Sequence, residues 1–349
     1  MACLVQCFKS SFVQWAIPPW LRKVRGQGGI AHCTKEDLKH WTKQAIERYV
    51  ERELGNWEDQ TPRFRYLFRR LQKNVWAVVE NVTEELRASE FSPIYLELGF
   101  GTGKELPPVE IQDHGVTLRI SGFVDRVDGW VQDGRLYLRV VDYKTGRKSF
   151  DLTEIWNGLG LQKLLYLFAL EENGEPFFKA PIVPAGVLYL PAREVLVSGS
   201  RGMDEETRQH AVDKELVRRG LILNDPEVVE AMEEGGTTRR FLPLRVSAKT
   251  GKITGDALVS AQRLGQLKGH IDATLHEICQ EIASGTIDAD PFWRGPNRNA
   301  CQYCPFVRAC QFEEHRDRRR WVPSVKNSEF WDWLAQEEGE DSHGHQTNS

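Results

Sequence analysis

No apolar run in this chain is long enough to cross a bilayer, which excludes a membrane-spanning helix within it. Positive charge is not in excess either. The formal net charge is −4, so no global field announces a polyanionic partner, and any nucleic-acid contact must come from local patches. There is no G-x4-GKS or GKT string, and hence no P-loop for ATP. No HExxH spacing offers a histidine zinc site. The opening MACLVQCFKSSFVQWAIPPW lacks the ordered charged, apolar and cleavage-site segments of a secretory leader. Internal repeats are absent.

What is present is a chain of 349 residues with 28% charged and 40% hydrophobic residues. That composition suits a soluble globular protein of one large or two ordinary domains. Seven cysteines are an odd number, and Cys301, Cys304 and Cys310 crowd into CQYCPFVRAC. Such usage favours a reducing, cytoplasmic compartment and a metal site over a disulfide framework. Thiolates at C-x2-C-x5-C select zinc or an iron–sulfur cluster, and on spacing alone zinc is preferred. Cys279 falls within a helical pattern, IDATLHEICQEI, and reads as core.

Residues 1–30 show weak periodicity and read as an irregular or foreign start. Thr34 with Asp37 forms a capping box that opens a helix carrying Leu38, Trp41, Ala45, Ile46 and Tyr49. A second helix is expected over 62–90, with Pro62 in its first turn. Phe64, Leu67, Leu71, Val75 and Val78 line its apolar side. Arg65, Arg69 and Arg70 stud it, interleaved with aromatics, and are candidate DNA contacts. A second basic run, HRDRRRW, follows the cysteines. Strands follow at 94–100 and on either side of Asp133-Gly134, a two-residue hairpin signal. Asp151 and Glu154 open a helix expected to run to about Leu170. The strand AGVLYLP comes next, then a charged stretch over 197–245 read as a peripheral insertion. A long amphipathic helix covers 256–284, and the cysteine segment 295–321. The tail 336–349 is expected to be disordered.

A turn at Asp133-Gly134 sets the hairpin register. Trp130 then faces Tyr137, Asp128 faces Arg139 and Val127 faces Val140, all favourable cross-strand pairs. Asp125 faces Asp142, an unfavourable pair unless a cation lies between them. Lys144 is two residues beyond Asp142 and shares its face. That face otherwise carries Val127, Val131, Leu136, Leu138 and Val140. Two carboxylates suit Mg2+, which prefers oxygen ligands and keeps some water. A nearby lysine can orient water or offset developing charge, so phosphodiester hydrolysis fits. Glu97 on the preceding strand is a further candidate ligand. In GLGLQKLLYLFAL, Gln162 and Tyr166 lie one helical turn apart, with Gly158 a turn earlier.

The series Gly-x-x-Asp, Asp-Tyr-Lys, Gln-x-x-x-Tyr resembles the RecB-like branch of the PD-(D/E)XK nuclease superfamily. With C-x2-C-x5-C, FRYLFRRL and LPP, the chain is similar to the C-terminal nuclease region of AddB-type subunits from about Thr34 to Trp333. The resemblance implies an α/β fold: a mixed central sheet flanked by helices, with a catalytic core at 91–192 inside a nuclease domain over 31–335. It implies Asp125, Asp142 and Lys144 as the catalytic set, with Gln162 and Tyr166 organising the site or the DNA. It implies Cys301, Cys304 and Cys310 as ligands of a 4Fe–4S cluster. It also implies 5′→3′ degradation of one DNA strand beside an AddA-like helicase–nuclease partner, in double-strand break repair and recombination. Members carry helicase-like domains ahead of this region, and a fourth cluster cysteine and a motif histidine ahead of the core. Here Cys3, Cys7 and Cys33 are the available cysteines, and His32 is the nearest histidine. A DNA- or partner-binding scaffold without catalysis, or an inactive fragment, are the alternatives.

Overall fold

The computed structural model describes residues 21–344, apart from 25, 27, 55–60, 114, 147–149, 194, 196, 198–201 and 314–315. Cys3, Cys7 and most of the irregular start therefore lie outside the described residues. The helices are α1 (Lys35–Tyr49), α2 (Pro62–Arg87), α3 (Leu152–Trp156), α4 (Gln162–Asn173), α5 (Glu175–Phe178), α6 (Glu205–Leu216), α7 (Pro226–Met232), α8 (Ala261–Ser284), α9 (Val307–Cys310) and α10 (Asn327–Gly344). The strands are β1 (Ser92–Phe100), β2 (Val109–Asp113), β3 (Val116–Ile120), β4 (Gly122–Gln132), β5 (Arg135–Lys144), β6 (Ile182–Pro191), β7 (Arg219–Leu223), β8 (Arg245–Val246), β9 (Ile253–Thr254), β10 (Leu258–Val259), β11 (Phe292–Trp293) and β12 (Arg320–Trp321).

The chain divides into two compact units, neither of them a continuous segment. The first comprises Met1–Pro107, Ser121–Phe150 and Lys163–Ala261; the second comprises Pro108–Ile120, Asp151–Gln162 and Gln262–Ser349.

The first unit is built on a six-stranded mixed sheet in the order β1-β4-β5-β6-β7-β10. Asp133 and Gly134 both take left-handed φ, 50° and 74°, as a twist-matched two-residue hairpin turn requires. The expected register holds: Val127 pairs with Val140, Asp128 with Arg139 and Trp130 with Tyr137. Val131 departs from the expected core face. It lies close to the turn and is 67% exposed. β5 and β6 run parallel, so the chain must cross over between them. The stretch read as a peripheral insertion supplies β7, an interior strand of this sheet. Its apolar Leu221-Ile222-Leu223 is too short to stand out from flanking charge, yet all three are buried.

The Thr34–Asp37 capping box opens α1, as expected. Thr61 caps α2, with Pro62 in the first turn. The buried side of α2 begins at Phe68 and continues through Leu71, Val75, Val78, Val79 and Val82. Leu67, expected on that side, is 37% exposed. Beneath α2 lies a closed charge network. Glu85 accepts from Arg218 at 2.9 Å and pairs with Arg126 at 3.5 Å and Arg139 at 3.8 Å. Both Arg126 and Arg139 also meet Asp128 at 2.9 Å. All five side chains are fully or almost fully buried. Burial alone would push the Glu85 carboxyl up, but the three guanidiniums hold it down at about 2.

The second unit contains the β2–β3 hairpin, α3, all but the first residue of α8, and the C-terminal elements. Trp156 stacks on His270 with ring centres 4.7 Å apart and meets Trp333 at 5.1 Å. Asp151 caps α3 and accepts from Arg294 at 2.8 Å and Arg298 at 2.6 Å. The single helix expected from Asp151 to Leu170 is instead α3 and α4. Gly158 and Gly160 break it with φ of 73° and 70°, which a continuing helix does not accommodate. Gly158 is therefore not on the Gln162–Tyr166 face. α10 runs to Gly344, past the residue where a disordered tail was expected to begin.

Candidate functional site

Adjacent strand ends of the first unit build the site. Asp125 is near the start of β4, and Asp142 and Lys144 close β5. The ladder from Gln132–Arg135 down to Arg126–Val141 carries the expected register to its end, so the next step brings Asp125 opposite Asp142. Lys144 shares their face through the two-residue period. Its ammonium forms an ion pair with Asp142 Oδ2. Asp125 Oδ2 accepts from the Tyr143 amide at 3.1 Å, which ties β4 to β5 at the site. The Lys144 ammonium also lies 5.0 Å from the Tyr189 ring centre.

A second cation arrives from α4. Lys163 Nζ is 2.6 Å from Asp142 Oδ1, and the side chain is only 7% exposed. Sequence reasoning missed it. One signal was available: Lys163 is the only charged residue between Leu159 and Leu170. Its ammonium also lies 5.2 Å from the Tyr166 ring centre.

Burial raises the Asp125 carboxyl above the usual carboxylate range. Lys163 is the strongest opposing charge, Asp142 pushes the same way as burial, and Lys144 opposes it more weakly. Four charged groups therefore sense one another where β4 begins and β5 ends.

Tyr166 is buried, its ring parallel to Phe100 at 5.4 Å. Its hydroxyl lies against Gly122, where a Cβ would collide with it. Gly122 is the glycine of Gly-x-x-Asp, so the motif spacing has a steric cause: the glycine admits the tyrosine beside the strand that bears Asp125. Gln162 begins α4 one turn before Tyr166. Glu97 sits at a left-handed φ of 56°, and its carboxylate takes the Arg22 guanidinium at 2.7 Å. On β1 it falls between Leu96 and Leu98, which pair with Arg126 and Val124 on either side of Asp125.

The donor chemistry fits a hard divalent ion. Two carboxylates meet on one face, and each oxygen of Asp142 takes a cation, Lys144 at Oδ2 and Lys163 at Oδ1. Among the described residues no three His, Cys, Asp or Glu side chains converge into a ready cage. The aspartates thus offer two protein ligands, which suits an ion that retains water.

In the second unit, burial raises the Cys301 thiol, and Cys304 and Cys310 add to that rise, so the three sulfurs are electrostatic neighbours. They too fall short of a converged cage. Cys33, in the first unit, is a buried thiol donating to the Gly29 carbonyl at 3.4 Å. Cys279 is fully buried, as expected of a core residue. Arg69 and Arg70 are exposed on α2, and Arg65 is half-buried there.

The model of the PD-(D/E)XK nuclease superfamily matches residues 22–311. An ATP-dependent helicase/deoxyribonuclease subunit of Clostridium novyi is 32% identical over 87% of this chain and 27% of its own length. The protein of the same name from Acetivibrio thermocellus is 31% identical over 85% of the chain and 26% of its own length. That from Symbiobacterium thermophilum is 31% identical over 94% and 28%. The chain spans about a quarter of the length of the curated relatives it matches.

Proposed function

The chain belongs to the PD-(D/E)XK nuclease superfamily, and from that membership we propose that it is the Mg2+-dependent DNA exonuclease module of an AddAB-type helicase–nuclease. One observation carries the proposal: adjacent strand ends present Asp125, Asp142 and Lys144 on one face, beside the helix that bears Tyr166.

Mg2+, when bound, supplies Lewis-acid polarisation of the phosphoryl oxygen and acidifies a water. Asp125 and Asp142 hold the ion. Lys144 is 24% exposed, so its ammonium reaches solvent and can orient the attacking water or offset charge on the phosphate. Buried Val127, Val140 and Leu138 form an apolar floor that keeps bulk water from beneath the carboxylates. Tyr166 fixes the start of β4 through Gly122 and is a positioning residue in this scheme.

Substrate features lie close by. Phe123 is two residues before Asp125 on the same face and is 54% exposed. The Lys104 ammonium sits 3.8 Å from its ring centre. An exposed ring topped by a cation suits stacking of a base from a single strand. Arg65, Arg69 and Arg70 on α2 offer a second basic surface for the phosphate backbone.

The finer assignments belong to the same proposal and rest on the motifs' resemblance to AddB-type subunits: 5′→3′ digestion, an AddA-like partner, and a role in double-strand break repair and recombination. Cys301, Cys304 and Cys310 are assigned to a 4Fe–4S cluster, with zinc or an incomplete cluster as the rivals. Three neighbouring soft sulfurs support this assignment. An ultraviolet–visible spectrum of anaerobically purified protein distinguishes cluster from zinc.

The deciding experiment is Mg2+-dependent cleavage of end-labelled single-stranded DNA by the wild type and Lys144→Ala. Loss of cleavage in the variant, with its fold retained, supports the module. Equal cleavage by both removes the catalytic assignment. No cleavage by the wild type with Mg2+ overturns the proposal.

A further inference from the structure

Lys163 is an uncomfortable residue by every local criterion. It is the second residue of α4, where the helix dipole disfavours a cation. It is buried, where desolvation disfavours one again. Its neighbours along the helix are Leu164, Leu167, Phe168 and Leu170, all buried. The surroundings that favour the charge are the two carboxylates and the face of Tyr166. Asp142 already has an ammonium partner in Lys144, so Lys163 is not needed to neutralise that carboxylate alone. Asp125 lies one register step beyond the Arg126–Val141 pair, opposite Asp142, so an ammonium 2.6 Å from Asp142 Oδ1 stands in the field of both aspartates.

We propose that Lys163 is the resident counter-cation of Asp125 and Asp142, and that a divalent ion loads onto these carboxylates by displacing its ammonium towards the substrate phosphate. The inference rests on the metal-site reading above. A single positive charge and a divalent ion cannot share the same carboxylate oxygens without strong repulsion in a low-dielectric setting. In the DNA-free protein Lys163 therefore competes with the metal. With DNA bound, a phosphate oxygen gives the displaced ammonium a new partner, and the competition is relieved. Metal and DNA then bind cooperatively, each raising the other's affinity by the same factor. Lys163 acts as a positioning residue for metal and phosphate, distinct from Lys144, which retains solvent contact.

The test is calorimetric titration of the full chain with Ca2+, which occupies oxygen sites without requiring turnover. Lys163→Met should bind Ca2+ about fivefold more tightly than the wild type without DNA, and should lose most of the gain that single-stranded DNA confers on the wild type. Unchanged or weaker Ca2+ binding by a folded Lys163→Met overturns the inference. A measurement on the unaltered protein covers the case of a variant that does not fold. Reductive methylation, read by mass spectrometry, should label Lys163 slowly in metal-free protein and faster once Ca2+ is added. Equal or slower labelling with Ca2+ overturns the inference as well. Asp142→Asn separates the two readings. If it abolishes Ca2+ binding, the metal site stands and only the Lys163 results bear on the inference. If Ca2+ binding survives in Asp142→Asn, the metal site and the inference fall together.

Discussion

Strands β4 and β5 carry two charge clusters on opposite faces, and consecutive residues divide between them. Asp125 and Asp142 face one way; Arg126, Asp128 and Arg139 face the other. The second cluster is closed: Glu85, Asp128 and three arginines meet one another with essentially no exposure. The first is open: Lys144 keeps 24% of its side chain in solvent, and Asp125 is only half-buried. The closed cluster holds its acid strongly ionised, with Glu85 held down at about 2, whereas burial raises Asp125 in the open one. Two neighbouring charge clusters thus serve opposite ends. Where protein groups are one another's final partners, charge fixes the fold. Where a charge cluster keeps one side in solvent, a ligand can reach it.

The largest effect expected from this contrast is on the open face. Asp142→Ala should abolish cleavage, by about 10³-fold or more, in a chain that still melts cooperatively. Cleavage of end-labelled DNA beside a thermal melt checks it. On the closed face Glu85→Ala should cost about 3–5 kcal/mol of stability, because it takes the acid from buried Arg218 and leaves Arg126 and Arg139 to share Asp128. Urea unfolding measures this; a loss below 1 kcal/mol would erase the distinction between the faces.

Gly122→Ala should push Tyr166 off β4 and slow cleavage by about 10²-fold through misplacement of Asp125. DNA binding in Ca2+ should change much less. Equal cleavage would detach Tyr166 from the site.

The smallest effect concerns pH, and its sign differs between the faces. The Glu85 carboxyl is lowered in the folded state, so its stabilisation is present above the unfolded pKa and is lost as pH falls from about 4.5 towards about 2. Asp125 is raised, so the folded state favours its protonated form, and that contribution is lost as pH rises through the folded pKa. Asp125→Asn should therefore raise the melting temperature of the metal-free protein slightly at neutral pH and leave it unchanged in acid. A lower melting temperature at neutral pH would contradict this sign.

The open face was readable from sequence because hairpin chemistry is local. Asp133-Gly134 fixed the turn, the turn fixed the register, and the register brought Asp125 and Asp142 together. The Asp128–Arg139 pair was legible for the same reason. Its burial was not, because Glu85 and Arg218 come from 43 residues before and 79 after these two positions, a separation no periodicity reveals. Lys163 escaped because a lysine beside a known glutamine reads as surface decoration until the strand packs against it. β7 escaped because three apolar residues among charges carry too little pattern for a strand. The break at Gly158 and Gly160 was visible in composition, yet the apolar run that follows masked it.

The chain passes between its two compact units five times, at residues 107, 120, 150, 162 and 261. No single cut can release either one whole. During synthesis the sheet that bears the aspartates waits for Leu258 and Val259 before its last strand exists, so premature termination upstream leaves an unfinished edge. Gene exchange by one crossover would likewise sever both bodies at once. Any transfer that keeps either body intact must carry the whole span from the first unit's opening segment to the second unit's last.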